Sequence, residues 1–164
     1  MREIAQKLKN TKLFIGLNED EILSCLRSSD FNIEEFEKDE TIFHVGDKAK
    51  HINVLIDGAV SICRDSMDGK RSIVAIFNTV GAIFGEVFLF LENKGYEHYA
   101  KAASKVKLLK ISKDYLFEGS KEGKDYHKVF LGNMLSDLAF KNYYLNRKVQ
   151  ILSCSSLRQK IAMF

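Results

Sequence analysis

The residues best suited by type to do chemistry gather in one stretch, FGEVFLFLENKGYEHYAKAAS, from Phe84 to Ser104. Glu86 is a lone carboxylate between Gly85 and Val87, followed by an apolar run. Burying such a group is costly unless something pairs with it. Asp47 and Glu86 are a conceivable acid–base pair, although nothing in the sequence sets their separation. His44, His51, His98 and His127 stand singly, without His-x-x-x-His or carboxylate spacing for zinc. Cys25, Cys63 and Cys154 are scattered, with no Cys-x-x-Cys. There is no Gly-x-Ser-x-Gly and no P-loop. These residue types point to a binding protein and not to an enzyme.

The elements that must position them come from a chain of 164 residues, a length that suits one domain with an appendage. Apolar residues make up 46% and charged residues 29%, and the formal net charge is only +3. That mild balance gives no strongly basic nucleic-acid surface and no support for membrane binding. MREIAQKLKN lacks the apolar core of a signal peptide, and no run is long enough to span a membrane. Three dispersed cysteines favour reduced thiols, so a cytoplasmic location is expected.

Residues 1–30 read as a helical cap. Asn18 followed by Glu21 is a capping box, and Ile22, Leu23 and Leu26 supply an apolar face. From Phe31 to Lys113 short alternating runs are broken by turns: Thr41–Phe43, Ile52–Ile56, Ala59–Cys63, Ser72–Phe77 and Val106–Ile111. Asp57-Gly58 and Asp68-Gly69 both carry the hairpin signal, since tight two-residue turns need positive φ. The expectation is a mainly β protein with flanking helices, built on an antiparallel roll or barrel.

Residues 114–153 return to helical spacing. Leu131, Leu135, Leu138, Asn142, Leu145, Val149 and Leu152 alternate steps of four and three, the spacing of a heptad seam with Asn142 at an a position. Such a seam predicts a two-stranded homodimer, with the Asn fixing register; the alternative is a helix that packs on its own domain, and both can hold on different faces. Phe130, Met134 and Phe140 lie off the seam, where they could face the roll. Residues 154–164 start another helix, after N-cap candidates in Ser153–Ser156, and the chain stops within its apolar stripe.

A cap helix, a glycine-punctuated β-roll and a long dimerising helix together resemble the sensor half of the Crp/Fnr family of bacterial transcription regulators. The matching motifs are Phe43-His-Val-Gly46-Asp47, Ile56-Asp-Gly58-Ala-Val60 and Gly81-Ala-Ile-Phe84-Gly85-Glu86. Leu157-Arg-Gln-Lys-Ile-Ala-Met-Phe164 resembles the opening of the family's helix-turn-helix domain, so a truncated DNA-binding domain is expected. The resemblance implies a double-stranded β-roll of the cyclic-nucleotide-binding type, a homodimer, and a small-molecule effector bound in the roll. DNA and RNA polymerase would be partners of the intact regulator only, since no element here enters a major groove.

In family members that bind cyclic AMP, the Glu of Phe-Gly-Glu accepts from the ribose and a downstream Arg-Ser-Ala clamps the phosphate. An ungapped comparison puts Tyr96, Glu97 and His98 at those three positions. Glu97 would face a phosphate with like charge, and only a shifted Lys94 or Lys101 could replace the arginine. The resemblance therefore implies an effector other than a cyclic nucleotide. Its pocket would lie between roll and long helix, with Phe84, Gly85, Glu86, Tyr96, Glu97, His98 and Tyr99 facing Lys141 or Asn142. Tyr96, His98 and Tyr99 would alternatively cover a plain roll surface, and Glu86 would then hold a lysine or a backbone N–H. A haem group, on one of the isolated histidines, and a cyclic nucleotide are the less favoured ligands. An effector-free dimerisation module is the remaining alternative.

Overall fold

The computed structural model describes residues 1–28, 30–66, 68–91, 94–118 and 126–153. Two helices, α1 (Arg2–Lys9) and α2 (Glu19–Arg27), form the cap. The capping box is present as its spacing predicts. Asn18 Oδ1 accepts from the Glu21 N–H at 2.9 Å, and Glu21 Oε2 accepts from the Asn18 N–H at 2.8 Å. That reciprocal pair satisfies two donors the helix start would otherwise leave open.

Eight strands follow: β1 (Phe31–Phe36), β2 (Thr41–Phe43), β3 (His51–Asp57), β4 (Val60–Asp65), β5 (Arg71–Phe77), β6 (Ile83–Phe84), β7 (Tyr99–Ala102) and β8 (Val106–Ser112). They form two antiparallel four-stranded sheets, ordered β1-β8-β3-β6 and β2-β7-β4-β5. The fold is the double-stranded β-roll that the strand pattern and the family resemblance imply. Period-two alternation divides the strands between two cores. Leu55, Leu108, Val60 and Ala100 point into the roll, while Ile52, Val54, Leu109 and Ile111 face the cap and the last helix.

One of the two Asp-Gly signals does not make a hairpin. Residues around Asp68-Gly69 join β4 to β5, which pair with each other. Asp57-Gly58 instead carries the chain from one sheet to the other, because β3 pairs with β8 and β6 while β4 pairs with β5 and β7. The turn is held by a neighbouring loop. Ala59 N–H donates to Ser104 Oγ at 3.0 Å, and a Cβ on Gly58 would sit 2.1 Å from the Lys105 carbonyl. Positive φ is needed at either kind of corner, so the dipeptide alone cannot tell them apart.

Two further helices complete the described chain, α4 (Lys113–Glu118) and α5 (Tyr126–Ser153), with a five-residue helix α3 (Glu86–Phe90) inserted after β6. Phe130 and Met134 of α5 are buried against the cap and the first sheet. Phe130 meets Phe14, Phe31 and Tyr115 edge-on, at centroid separations of 5.5–6.2 Å. Phe140 does not face the roll as its position off the seam suggests. It is exposed, with the Lys12 ammonium 4.3 Å from its ring centroid. Phe140 lies on the flank of α5, off the face that carries Phe130, Met134, Asp137 and Lys141.

The cap is keyed to the loop between β5 and β6. Gly81 has φ +81°, and a Cβ there would lie 2.4 Å from Thr11 Cβ. Gly81→Ala should therefore lower stability by about 2 kcal/mol or more, through left-handed strain and the clash with Thr11. Urea unfolding measures it; an unchanged midpoint would mean the contact is not made.

Candidate functional site

Asn53 of β3 is paired with Phe84 of β6, which fixes the start of the Gly85–Glu86 turn. Gly85 takes φ +78° as the N-cap of α3, a conformation that glycine adopts without strain. Glu86 is thereby turned beneath the long helix, where it is 5% exposed. Its partner is Lys141 of α5, whose ammonium lies 2.7 Å from Glu86 Oε1. The same ammonium donates to the Ile83 carbonyl at 2.9 Å and meets Asp137 Oδ2 at 3.1 Å. Asp137 is also buried, and its other oxygen lies 3.3 Å from Lys12 of the cap region.

Four charges thus run in sequence from roll to helix to cap: Glu86, Lys141, Asp137 and Lys12. Each buried carboxylate has a cation within 4 Å, the condition under which burial of charge is tolerated. Three of the four charges, Lys141, Asp137 and Lys12, border a crevice of about 300 Å³ between α5 and the β5–β6 corner, lined also by Phe77, Gly81 and Ile83 among others. The size is at the lower end for small-molecule sites. Its polar groups are two ammonium groups and one carboxylate, which could orient a small ligand with at least one anionic group.

The interior of the roll is filled by rings. Tyr96 stacks on Phe43 with centroids 3.7 Å apart, Phe88 meets Tyr96 edge-on at 5.4 Å, and Phe77 stacks on Phe84 at 5.4 Å. Burial pushes the Tyr96 phenol up, against the opposing pull of the nearby Asn53 amide, so it stays neutral. A Cβ on Gly85 would be 3.2 Å from both the Tyr96 ring and Asn53 Nδ2, which shows how closely the turn approaches the ring.

Residues 33–121 match the family model described as "Cyclic nucleotide-binding domain", a stretch that begins in β1 and runs past β8. The chain belongs to the cyclic nucleotide-binding domain family. Among its curated relatives is a "Global nitrogen regulator" of Nostoc sp., 30% identical over 105 residues, covering 63% of this chain and 47% of the relative. Another is the "cAMP-activated global transcriptional regulator CRP" of Pasteurella multocida, 32% identical over 81 residues, covering 49% of this chain and 38% of the relative. The chain thus matches about half the length, or less, of these relatives. Among solved structures, the sensor domain of the transcriptional regulator DNR from Pseudomonas aeruginosa aligns with a TM-score of 0.68 at 22% identity. That alignment covers 95% of this chain and 97% of the other. Thermus thermophilus Catabolite Activator Protein gives 0.71 at 22% identity, over 87% of this chain and 63% of that one. Similarity at that identity establishes the fold they share.

Within this family member the expected site residues separate into two groups. Phe84, Gly85, Glu86 and Tyr96 do come together, and Lys141 reaches them from α5. Tyr99 and Lys101 occupy the outer face of β7, because Ala100 and Ala102 take the inner one. The Tyr99 hydroxyl donates to Asp65 at 2.9 Å and Lys101 lies 3.5 Å from Asp39. Lys94 pairs with Glu97 on the surface at 3.9 Å, so both lysines are engaged by surface carboxylates. His98 is half-buried. Asn142 is exposed and accepts from Asn146 of the same helix at 2.9 Å, away from the crevice. Asp47 and Glu86 form no carboxylate pair: Asp47 accepts from the His44 N–H at 2.8 Å and caps its own turn.

Lys12, Asp137 and Asn53 are site residues that sequence reasoning missed. Asp137 and Lys141 are four apart on a helix, acid before base, and that spacing was a usable signal. Asn53 interrupts the apolar run Ile52–Ile56, the mark of a buried polar group with a partner. For Lys12 the sequence holds no signal.

Proposed function

We propose that this chain is the effector-sensing and dimerising part of a Crp/Fnr-like transcription regulator, and that its effector is not a cyclic nucleotide. The observation that carries this reading is the Glu86–Lys141 contact at 2.7 Å. Glu86, which in the cyclic-AMP cassette would meet a ribose, is instead engaged by the long helix, and Tyr96 closes the roll where a phosphate would need a cation. The crevice beside Lys12 and Lys141 is the place for a small acidic effector. By engaging Lys141 it would bias one placement of α5 over another, as far as its affinities for the two states differ. The homodimer seam would transmit that change to DNA-binding elements of the intact cytoplasmic regulator, which would bind DNA and RNA polymerase. Curated relatives named as a global nitrogen regulator and a global transcriptional regulator, and neighbours of the same fold, support the assignment.

Isothermal calorimetry with cyclic AMP and cyclic GMP, beside an absorbance scan for haem, tests the exclusion. Neither nucleotide should give heat and no haem band should appear. A thermal-shift screen of small organic acids should then yield a stabiliser whose effect is lost in Lys12→Ala. Cyclic AMP binding that disappears in Glu86→Gln would overturn the reading and restore the cyclic-nucleotide cassette.

A further inference from the structure

A second cavity of about 450 Å³ opens at the mouth of the roll, away from the Lys12–Lys141 crevice. Phe43 and Tyr96 contribute aromatic surface to its lining, and Asn53 a polar group. Lys48, Lys50 and Lys110 supply its charge, with the His51 ring beside them. Asn53 and Lys110 are register partners on β3 and β8, so both side chains emerge on the same face.

The charge there is uneven. Asp47 is the acidic residue in the lining, and its carboxylate already accepts from the His44 N–H. Lys110 pairs with Glu34. Lys48 and Lys50 have no carboxylate within 4 Å among the described residues. Lys101, Lys105 and Lys107 on the roll are matched, by Asp39, Glu37 and Glu35, whereas Lys48 and Lys50 stand unmatched side by side at one cavity. Burial, then the nearby Lys110, pushes the His51 imidazole down from its ordinary value. An anion beside it would relieve part of that cost.

The loop bearing these lysines is also held in place. Gly46 N–H donates to the Tyr96 carbonyl at 2.8 Å and Tyr96 N–H donates to the Asp47 carbonyl at 3.0 Å. A Cβ on Gly95 would lie 2.4 Å from the Gly46 carbonyl, so the two backbones are in direct contact. The cations therefore stand on a fixed rim over a fixed aromatic surface.

We propose that this cavity binds a small polyanionic metabolite, carrying phosphate or several carboxylates, through Lys48, Lys50 and His51. Its apolar part lies against Phe43 and Tyr96, and Asn53 supplies a polar contact. The volume is that of a small-molecule site, and a concave opening between two sheets does not suit a duplex or a membrane surface. The inference does not depend on the proposed effector crevice, whose cations are Lys12 and Lys141.

Inorganic pyrophosphate and citrate are the probes, titrated separately into the full chain at low ionic strength. Calorimetry gives the affinity, and the His51 ring resonances are followed by NMR. Saturable binding that shifts His51 is expected, weakened about tenfold or more in Lys48→Gln/Lys50→Gln, the loss for removing charge-assisted contacts. Lys105→Gln, on the matched surface, should bind as the parent does. Pyrophosphate alone binding identifies a phosphate ligand, and citrate alone a polycarboxylate. Absence of saturable binding by either probe, equal binding to the double variant, or an unmoved His51 would overturn the proposal.

Discussion

Lys141→Met should lower the thermal midpoint by about 10 °C, a loss of about 3–5 kcal/mol for stranding a buried carboxylate in a chain of this size. Glu86 is buried, and among the described residues its cation is this one ammonium at 2.7 Å. Asp137 keeps Lys12 at 3.3 Å, so the damage concentrates on Glu86. The double variant Glu86→Gln/Lys141→Met should recover most of the loss, because removing both members of a buried pair costs far less than removing one. Scanning calorimetry of the two single variants and the double variant closes the cycle. If the double variant melts as low as Lys141→Met, the two groups are not coupled and the link between roll and helix is not made. The result also bears on function. Beyond the docking of Phe130 and Met134, the helix meets the roll through this buried ion pair, the contact for which an acidic ligand would compete.

Leu145→Lys/Val149→Lys should turn the proposed dimer into a monomer at concentrations where the parent is associated. Leu135, Leu145, Val149 and Leu152 are each about 60% exposed on α5, while Leu131 and Leu138 of the same seam are partly buried against the chain's own core. A two-fold seam counts every substitution twice. Four side chains at roughly 1.5 kcal/mol each amount to about 6 kcal/mol, or about four orders of magnitude in Kd. The repulsion between the new charges adds to that. Sedimentation velocity measures it, with Asn142→Leu as the opposite arm, expected to tighten association and relax register. If the lysine variant sediments as the parent does, the seam is not the dimer contact. Folding should survive, because these positions contribute to neither core.

The sequence carried the fold a long way. Alternating runs between turn dipeptides located the longer strands, and Asn18 with Glu21 placed the start of α2 within one residue. These features are local: a period of two, or a cap three residues from its partner, is complete within a few residues of chain. The Phe84-Gly85-Glu86 turn was legible for the same reason. Which sheet a strand joins was not. Asp57-Gly58 reads as a hairpin, but its role as a crossover depends on β8 lying beside β3, more than 50 residues away.

The site divides along the same line. Residue type and spacing determined that Glu86 needs a partner and that α5 carries an apolar seam, and the family resemblance added that no arginine follows at the expected place. Tertiary structure decided that the partner is Lys141, that Lys12 and Asp137 extend the pair into a chain of charges, and that Tyr99 and Lys101 face outward. The physical reason is that a buried charge states a requirement without saying what meets it. The cation came from a helix 55 residues further on, set by the way Phe130 and Met134 dock against the cap.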